Sequence, residues 1–332
     1  MRPFNYQHAA NRDDAVRLAS QHAGSVQFLA GGTTLVDLMK LDVMRPTTVV
    51  DINALAGEYS EIRIADGRLR LGALARMSDT ADHPVIRRDY PMIAQSLQLA
   101  ASAQLRNMAS LGGNVLQRTR CPYFRDVSWS ACNKRNPGSG CAAIEGVNRK
   151  LAILGTSEQC IANYPGDFAV ALAALDATVD LEGPAGHRMI PFADLHRLPG
   201  DTPHIETTLG PGELIAGFTV QAAPWIRRSL YLKIRDRQSF EFALASAAVA
   251  LDLDGDIVRE ARIGLGGVAS KPWRSVAAET ALRGQLLTEV SARAAAEAAF
   301  ADARATGDRA FKPELGRRTL VRALLQCRSL ET

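Results

Sequence analysis

The chain has 332 residues, of which 47% are hydrophobic and 22% charged, and this is the composition of an ordinary globular protein with room for two or three domains. The net charge of +4 is too small to predict a nucleic-acid-binding surface, and no apolar run is long enough to span a membrane. The amino terminus has no apolar export region, so we expect no secretion signal on this chain.

Short strands and helices are predicted to alternate through the first hundred residues. The apolar pattern predicts strands at 1–10, 26–29 and 48–52, and a hairpin at 61–74. Asp66-Gly67 supplies the turn of that hairpin. A helix is predicted to begin at Asn11, and one long helix is predicted over 91–104.

A glycine pair directly follows the second predicted strand. The sequence there is Ala30-Gly31-Gly32-Thr33-Thr34-Leu35, and a predicted helix follows at 36–41. Glycines let backbone N–H groups approach an anion, and threonine hydroxyls add further donors. The motif therefore suits a phosphate group, although a tight strand-to-helix turn explains the same residues equally well.

A second glycine-rich turn, Ser110-Leu111-Gly112-Gly113-Asn114, lies about eighty residues further on. Two such turns on opposite walls of one elongated site would suit a dinucleotide better than a mononucleotide. The sequence alone does not show that the two turns meet.

Four of the five cysteines lie in one polar segment after the second turn. They are Cys121, Cys132, Cys141 and Cys160, with ten, eight and eighteen residues between them. Residues 116–150 also carry seven Lys or Arg side chains against two acidic ones, so the positive charge of the chain is concentrated here. The segment is rich in turn-forming residues and needs an internal anchor.

Three interpretations of the four cysteines remain open. Two disulfides are disfavoured because the chain is long enough to build a core and shows no secretory leader. Structural zinc sites usually contain closely spaced cysteine pairs, which are absent here. A [4Fe–4S] cluster with four thiolates is net negative and would be stabilised by the basic segment, so it is modestly favoured over zinc.

The predicted domain boundary is Ala222-Ala223-Pro224, which divides the chain into 1–223 and 224–332. Beyond it the pattern predicts strands at 230–234, 243–253 and 257–265, and Ala-rich helices at 289–305 and 312–327. Asp254-Gly255 predicts that the last two strands form a hairpin. Cys327 lies in the last predicted helix and is interpreted as a buried thiol.

The sequence contains no convincing set of catalytic side chains. There is no nucleophile elbow, no His-Glu-x-x-His helix and no Walker loop. His204 and Glu206 are close in sequence and are interpreted as a solvated loop pair. Any catalysis is therefore expected to belong to a bound cofactor.

Taken together, the two glycine motifs resemble the FAD-binding motifs of the flavoprotein subunits of molybdenum hydroxylases, the xanthine dehydrogenase and carbon monoxide dehydrogenase family. A later stretch, Gly264-Leu265-Gly266-Gly267-Val268-Ala269, resembles the C-terminal flavoprotein domain of that family. Within the family, the cysteine segment resembles the FAD subunit of bacterial periplasmic aldehyde oxidoreductases. The resemblance implies an α+β fold: a PCMH-type FAD-binding domain of two α/β subdomains at 1–223, then a C-terminal α+β domain with an antiparallel sheet.

The same resemblance implies the site residues. The cysteines Cys121, Cys132, Cys141 and Cys160 would bind a [4Fe–4S] cluster in segment 116–160. The residues expected to contact FAD are Gln27, Phe28, Leu29, Ala30, Gly31, Gly32, Thr33, Thr34, Leu35, Ala109, Ser110, Gly112, Gly113, Asn114, Asp167, Leu214 and Lys233.

The function implied by the resemblance is electron transfer within a three-chain enzyme that oxidises aldehydes to carboxylic acids. A small partner subunit would hold two [2Fe–2S] clusters and a large one the molybdopterin cofactor, and FAD in this chain would pass electrons to an external acceptor. The chain would reach the periplasm by export with a signal-bearing partner, and would stay cytoplasmic otherwise. The alternatives are a stand-alone FAD oxidase of the vanillyl-alcohol-oxidase type and a zinc-stapled scaffold without flavin.

Overall fold

The computed structural model describes residues 1–21 and 26–331, and the strands of these residues form three sheets. The first sheet belongs to a small amino-terminal layer. Its elements are β1 (Asn5–His8), α1 (Arg12–Ser20), β2 (Val26–Leu29), α2 (Leu35–Lys40), β3 (Thr48–Asp51) and α3 (Ala56–Tyr59). β3 lies between β1 and β2, and all three strands are parallel. The Asn11 side chain caps α1 by accepting from the Asp14 N–H, as the predicted helix start requires.

The second sheet has five strands and is antiparallel in each of its pairings. Among the described residues, this part of the chain contains the five strands of the sheet and seven α-helices. In chain order they are β4 (Ile62–Ala65), β5 (Arg68–Gly72), α4 (Met77–Asp82), α5 (Pro84–Asp89), α6 (Pro91–Gln98), α7 (Ala103–Met108), α8 (Leu111–Val115), α9 (Pro122–Arg125), α10 (Asp167–Ala174), β6 (Thr178–Gly183), β7 (Gly186–Pro191) and β8 (Leu214–Gln221). The strand order is β4-β5-β8-β6-β7. Every residue of α10 is buried, so this helix forms the centre of the largest hydrophobic core.

The prediction of one long helix over 91–104 is wrong. α6 ends at Gln98, and α7 begins only after Ser102, whose side chain accepts from the Leu105 N–H. Between the two helices Ala101 has a φ of 49°, which an α-helix cannot contain. Because the apolar pattern continues across the break, the prediction missed Ser102 as the N-cap of a second helix. The break turns α7 so that its end, Met108, lies against the first glycine motif.

The third sheet and its covering helices form the last part of the chain. They comprise β9 (Ser229–Ile234), β10 (Ala245–Asp254), β11 (Ile257–Gly266), β12 (Trp273–Arg274), α11 (Val276–Leu282), α12 (Glu289–Ala299) and α13 (Lys312–Arg328). The sheet is antiparallel with the order β12-β11-β10-β9, and the predicted hairpin at Asp254-Gly255 is confirmed. α11 was not expected from the sequence. Cys327 is fully buried in the core between α13 and the sheet, as predicted.

The carboxyl-terminal part is joined to the cysteine segment by hydrogen bonds. Leu154 pairs with Ala269 in a parallel bridge. The buried Lys312 ammonium donates to the carbonyl oxygens of Leu151 at 2.8 Å and of Gly267 at 2.6 Å. The division into 1–223 and 224–332 stays a prediction. No helix among the described residues has the length and apolar character that crossing a membrane requires.

Candidate functional site: a cavity between two glycine motifs

A cavity of about 690 Å³ lies where the two glycine motifs come together. Its volume falls in the range of ordinary ligand sites. Twelve of the residues predicted to bind the cofactor line it: Gln27, Phe28, Ala30, Gly31, Gly32, Thr33, Thr34, Leu35, Ser110, Gly112, Gly113 and Leu214. The two turns therefore meet, which the sequence alone left open.

The first motif forms a tight turn between β2 and α2. A methyl group on Gly31 would lie 2.0 Å from the carbonyl oxygen of Met108, so only glycine fits this position. Gly32 has a φ of 72°, which side chains other than glycine rarely adopt. The Asn53 side chain donates to the Ala30 carbonyl at 3.0 Å and holds the start of the turn.

The second motif is the short helix α8 rather than an open turn. Ser110 caps it, since its hydroxyl accepts from the Gly113 N–H at 3.2 Å. The Gly112 N–H donates to the Ala73 carbonyl at 2.8 Å and ties α8 to the end of β5. The Asn114 side-chain oxygen is buried without a hydrogen-bond partner, and a buried polar atom of this kind calls for one.

A loop that the sequence did not mark as part of a site forms another wall of the cavity. It contributes Leu209, Gly210, Pro211, Gly212 and Glu213. The Nε and Nη2 atoms of Arg188 each donate to one oxygen of the Glu213 carboxylate at 2.6 Å, and the Gly210 N–H donates to the same carboxylate at 2.7 Å. The hydrogen bond from Arg188 lowers the pKa of Glu213, so the carboxylate stays charged and fixes the loop. No local sequence pattern links this loop to the glycine motifs.

Five predicted site residues do not line this cavity: Leu29, Ala109, Asn114, Asp167 and Lys233. Asp167 and Lys233 instead form a buried ion pair, with 2.7 Å between the ammonium and a carboxylate oxygen. Tyr231 donates to the other oxygen at 2.7 Å. Burial raises the pKa of Asp167, and the Lys233 charge opposes that rise. Their predicted contact with the cofactor stays a prediction.

The four clustered cysteines line a second, much smaller cavity of about 10 Å³. All are free thiols, so the disulfide alternative is not realised. Burial raises the pKa of Cys121 to about 12 and that of Cys160 to about 11. Among residues 1–21 and 26–331, no group of three or more His, Cys, Asp or Glu side chains is arranged to hold a metal ion. The sulfurs thus surround one space without forming a site for a single ion.

Backbone hydrogen bonds hold the cysteine segment in shape. Cys132 and Cys141 face each other in an antiparallel bridge, and the Asn133 N–H donates to the Gly140 carbonyl at 2.7 Å. The Arg135 guanidinium donates to the carbonyls of Tyr123 at 2.8 Å and Phe124 at 2.7 Å. One of the basic residues counted in the sequence therefore serves the loop itself.

The interpretation of His204 and Glu206 as a solvated loop pair is wrong for Glu206, whereas His204 is exposed. Glu206 accepts from two nitrogens of Arg118, at 2.9 and 2.6 Å, and its side chain is 24% exposed. His204 and Arg118 both line the large cavity. Arg118 and Glu206 are 88 positions apart in sequence, so no local pattern could reveal the pair.

The fold and the large cavity together define the class of protein. Residues 2–220 match the family model described as FAD binding domain in molybdopterin dehydrogenase, and residues 230–327 match the CO dehydrogenase flavoprotein C-terminal domain. The chain belongs to this family of flavoprotein subunits, and its named relatives are subunits of oxidoreductases. The size of the cavity and the close backbone approach at Gly31 fit a bound FAD.

Individual relatives cover nearly the whole chain. The aldehyde oxidoreductase FAD-binding subunit PaoB of Escherichia coli is 46% identical over 330 residues, which are 99% of each chain. The carbon monoxide dehydrogenase medium chain of Hydrogenophaga pseudoflava is 26% identical over 97% of this chain and 96% of its own. A solved structure of carbon monoxide dehydrogenase from that organism matches with a TM-score of 0.75 and 26% identity, covering 98% of both chains.

Proposed function

We propose that this chain is the FAD-holding electron-transfer subunit of a molybdenum-dependent aldehyde oxidoreductase. It would take electrons from [2Fe–2S] clusters of a small partner subunit and deliver them to an external acceptor, while a large partner subunit holds the molybdopterin cofactor and oxidises aldehydes to carboxylic acids. FAD supplies the redox chemistry when bound, and the protein supplies position and electrostatics. The aldehyde reaction is supported by the 46% identical relative that carries this activity in its name.

One observation carries the proposal: two glycine motifs far apart in sequence line a single cavity. Gly31, Gly32 and Gly113 bring bare backbone to the cavity, and Thr33 and Thr34 bring hydroxyls. Such a surface suits the diphosphate of FAD. Asp167 and Lys233 would complete the site from the neighbouring core, where their charges already balance.

We also propose that Cys121, Cys132, Cys141 and Cys160 bind a [4Fe–4S] cluster. All four line one cavity, and residues 116–150 around three of them carry seven Lys or Arg side chains against two acidic ones. Structural zinc sites usually contain closely spaced cysteine pairs, and these four cysteines are separated by ten, eight and eighteen residues. A [4Fe–4S] cluster takes one thiolate at each of its four iron corners, which matches the number of cysteines that line this cavity. Assembly would also deprotonate thiols whose burial now holds their pKa high.

The proposed assembly is a heterotrimer with the small and large subunits, exported to the periplasm bound to a partner that carries the signal. The relatives support the assembly because they are named as subunits or medium chains. We propose residues 1–223 as the FAD-binding domain and 224–332 as the flavoprotein C-terminal domain, consistent with family matches that end at 220 and begin again at 230.

The decisive experiment is a visible absorption spectrum of the purified protein, with FAD and iron quantified per chain. We expect one FAD and four iron atoms. Flavin without iron would refute the cluster and leave the flavin subunit, whereas zinc with no visible absorbance would refute both. Turnover of an alcohol by the single chain would identify a self-contained oxidase instead.

A further inference from the structure

Arg118 lies between the large cavity and the cysteine cavity. Its side chain lines the large cavity beside Leu116. Its guanidinium carbon also lies 4.5 Å from the centre of the Phe124 ring, and Phe124 lines the cysteine cavity. A single side chain therefore touches the walls of both sites.

Glu206 connects Arg118 to a second cation at the cysteine cavity. The same carboxylate oxygen that accepts from Arg118 at 2.6 Å lies 3.4 Å from the ammonium of Lys134. Lys134 lines the cysteine cavity next to Cys132 and Cys160, and it donates to the Pro203 carbonyl at 2.9 Å. The chain of contacts thus runs from one cavity to the other through three charged side chains.

These three side chains are largely withdrawn from water. The exposed fractions are 24% for Arg118, 24% for Glu206 and 12% for Lys134. Charges in such positions interact more strongly with their surroundings than charges on the open surface, because solvent screens them less. Two positive groups and one negative group leave a fixed net positive charge between the two cavities.

We propose that Arg118, Glu206 and Lys134, called here the charge triad, are positioning residues that set the reduction potentials of both cofactor sites. This inference rests on the proposed function, since it places FAD in the large cavity and a cluster in the cysteine cavity. Each site gains negative charge when it gains electrons. The two cations of the triad favour that gain, and Glu206 opposes it and limits their effect.

The test is a potentiometric titration of the purified complex, followed by visible absorbance for the flavin and by electron paramagnetic resonance for the cluster. Glu206→Gln keeps the shape of the side chain and removes a negative charge, so both midpoint potentials should shift positive. Lys134→Met removes a positive charge, so the cluster potential should shift negative. In the double variant Glu206→Gln/Lys134→Met the two charge changes oppose each other, so the cluster potential should return towards the wild-type value.

Glu279→Gln is the matched control. Glu279 also accepts from an arginine, Arg274, at 2.9 Å, and its side chain is only 6% exposed, but it lines neither cavity. This variant should keep both wild-type potentials. A merely structural role for the triad would lower cofactor content or stability without opposite shifts for opposite charges.

FAD and iron are quantified in every sample before titration. A wild-type complex without FAD, or with only the four iron atoms of the two [2Fe–2S] clusters of the small subunit, would overturn the proposed function and this inference together. A loaded complex in which Glu206→Gln leaves both potentials unchanged, or shifts them in the same direction as Lys134→Met, would overturn the inference alone. If Glu206→Gln does not assemble, Lys134→Met decides, and an unchanged cluster potential overturns the inference.

Discussion

Gly31 packs its α-carbon directly against the carbonyl oxygen of Met108, and a methyl group at Gly31 would lie only 2.0 Å from that oxygen. The Arg76 guanidinium donates to the same carbonyl and holds it in place. Two backbone segments about eighty residues apart thus meet without side chains between them, and this contact places both glycine motifs on one cavity.

Replacing Gly31 by alanine should weaken FAD binding. The added methyl group must push the first motif away from Met108, which moves the backbone N–H groups of the cavity. We expect FAD affinity to fall by tenfold or more, about 1.4 kcal/mol, measured as FAD retained per chain after gel filtration. Gly57→Ala is the matched control, because nothing lies within 4 Å of a methyl group at Gly57. Equal FAD retention in both variants would contradict the prediction.

Replacing Cys132 by serine should remove the iron. Cys132 lines the cysteine cavity with the other three thiols, and a cluster that loses one of four ligands is held poorly. We expect iron per chain to fall severalfold and segment 116–160 to become sensitive to protease. Cys327→Ser is the control, because Cys327 is a buried thiol that does not line this cavity, and the variant should retain the wild-type iron content. Unaltered iron in Cys132→Ser would exclude the cysteine assignment.

Breaking the buried ion pair should destabilise the fold strongly. Lys233→Met leaves the Asp167 carboxylate buried without its counter-charge, and we expect a loss of about 3–5 kcal/mol in the free energy of unfolding. The double variant Asp167→Asn/Lys233→Met removes both charges and should lose much less. Denaturant unfolding measures both values.

The double variant also tests the predicted role of this pair at the cofactor. If Asp167 and Lys233 contact the flavin, a folded double variant should show a shifted flavin absorption band. An unaltered band in a sample with full FAD content would contradict that assignment.

Lys312 should make stability depend on pH in the alkaline range. Burial lowers its pKa from 10.5 to about 7. Between these values the unfolded chain binds more protons than the folded one, so stability rises with pH from about 7 to about 10. The Lys312→Met variant lacks this pH dependence. The free energy of unfolding of the wild-type protein, relative to that of the variant, should therefore increase by up to about 1.4 kcal/mol per pH unit. A difference that stays constant over this range would contradict the buried titration.

The glycine motifs and the cysteine segment were predictable because their signals are local. Gly31 and Gly32 follow a strand directly, and the four cysteines stand out by number and by the charge around them. Nine of the twelve predicted residues that line the cavity belong to these two turns.

The remaining part of the site depends on contacts between distant residues. Glu213 fixes a cavity wall through Arg188, which lies 25 positions earlier, and Glu206 is paired with Arg118. The helix break at Ala101 was hidden for a different reason, since alanine carries no signal for a positive φ. Long-range ion pairs and unusual backbone angles leave no periodic trace in a sequence.

The hydrogen bonds from Lys312 to Leu151 and Gly267 also bear on the order of biosynthesis. The Leu151 carbonyl belongs to the stretch just before Cys160, yet the lysine opens the final helix of the chain. Nearly the entire polypeptide must therefore leave the ribosome before the cysteine segment can form its hydrogen bond with Lys312. Assembly of the proposed [4Fe–4S] cluster would accordingly come after translation.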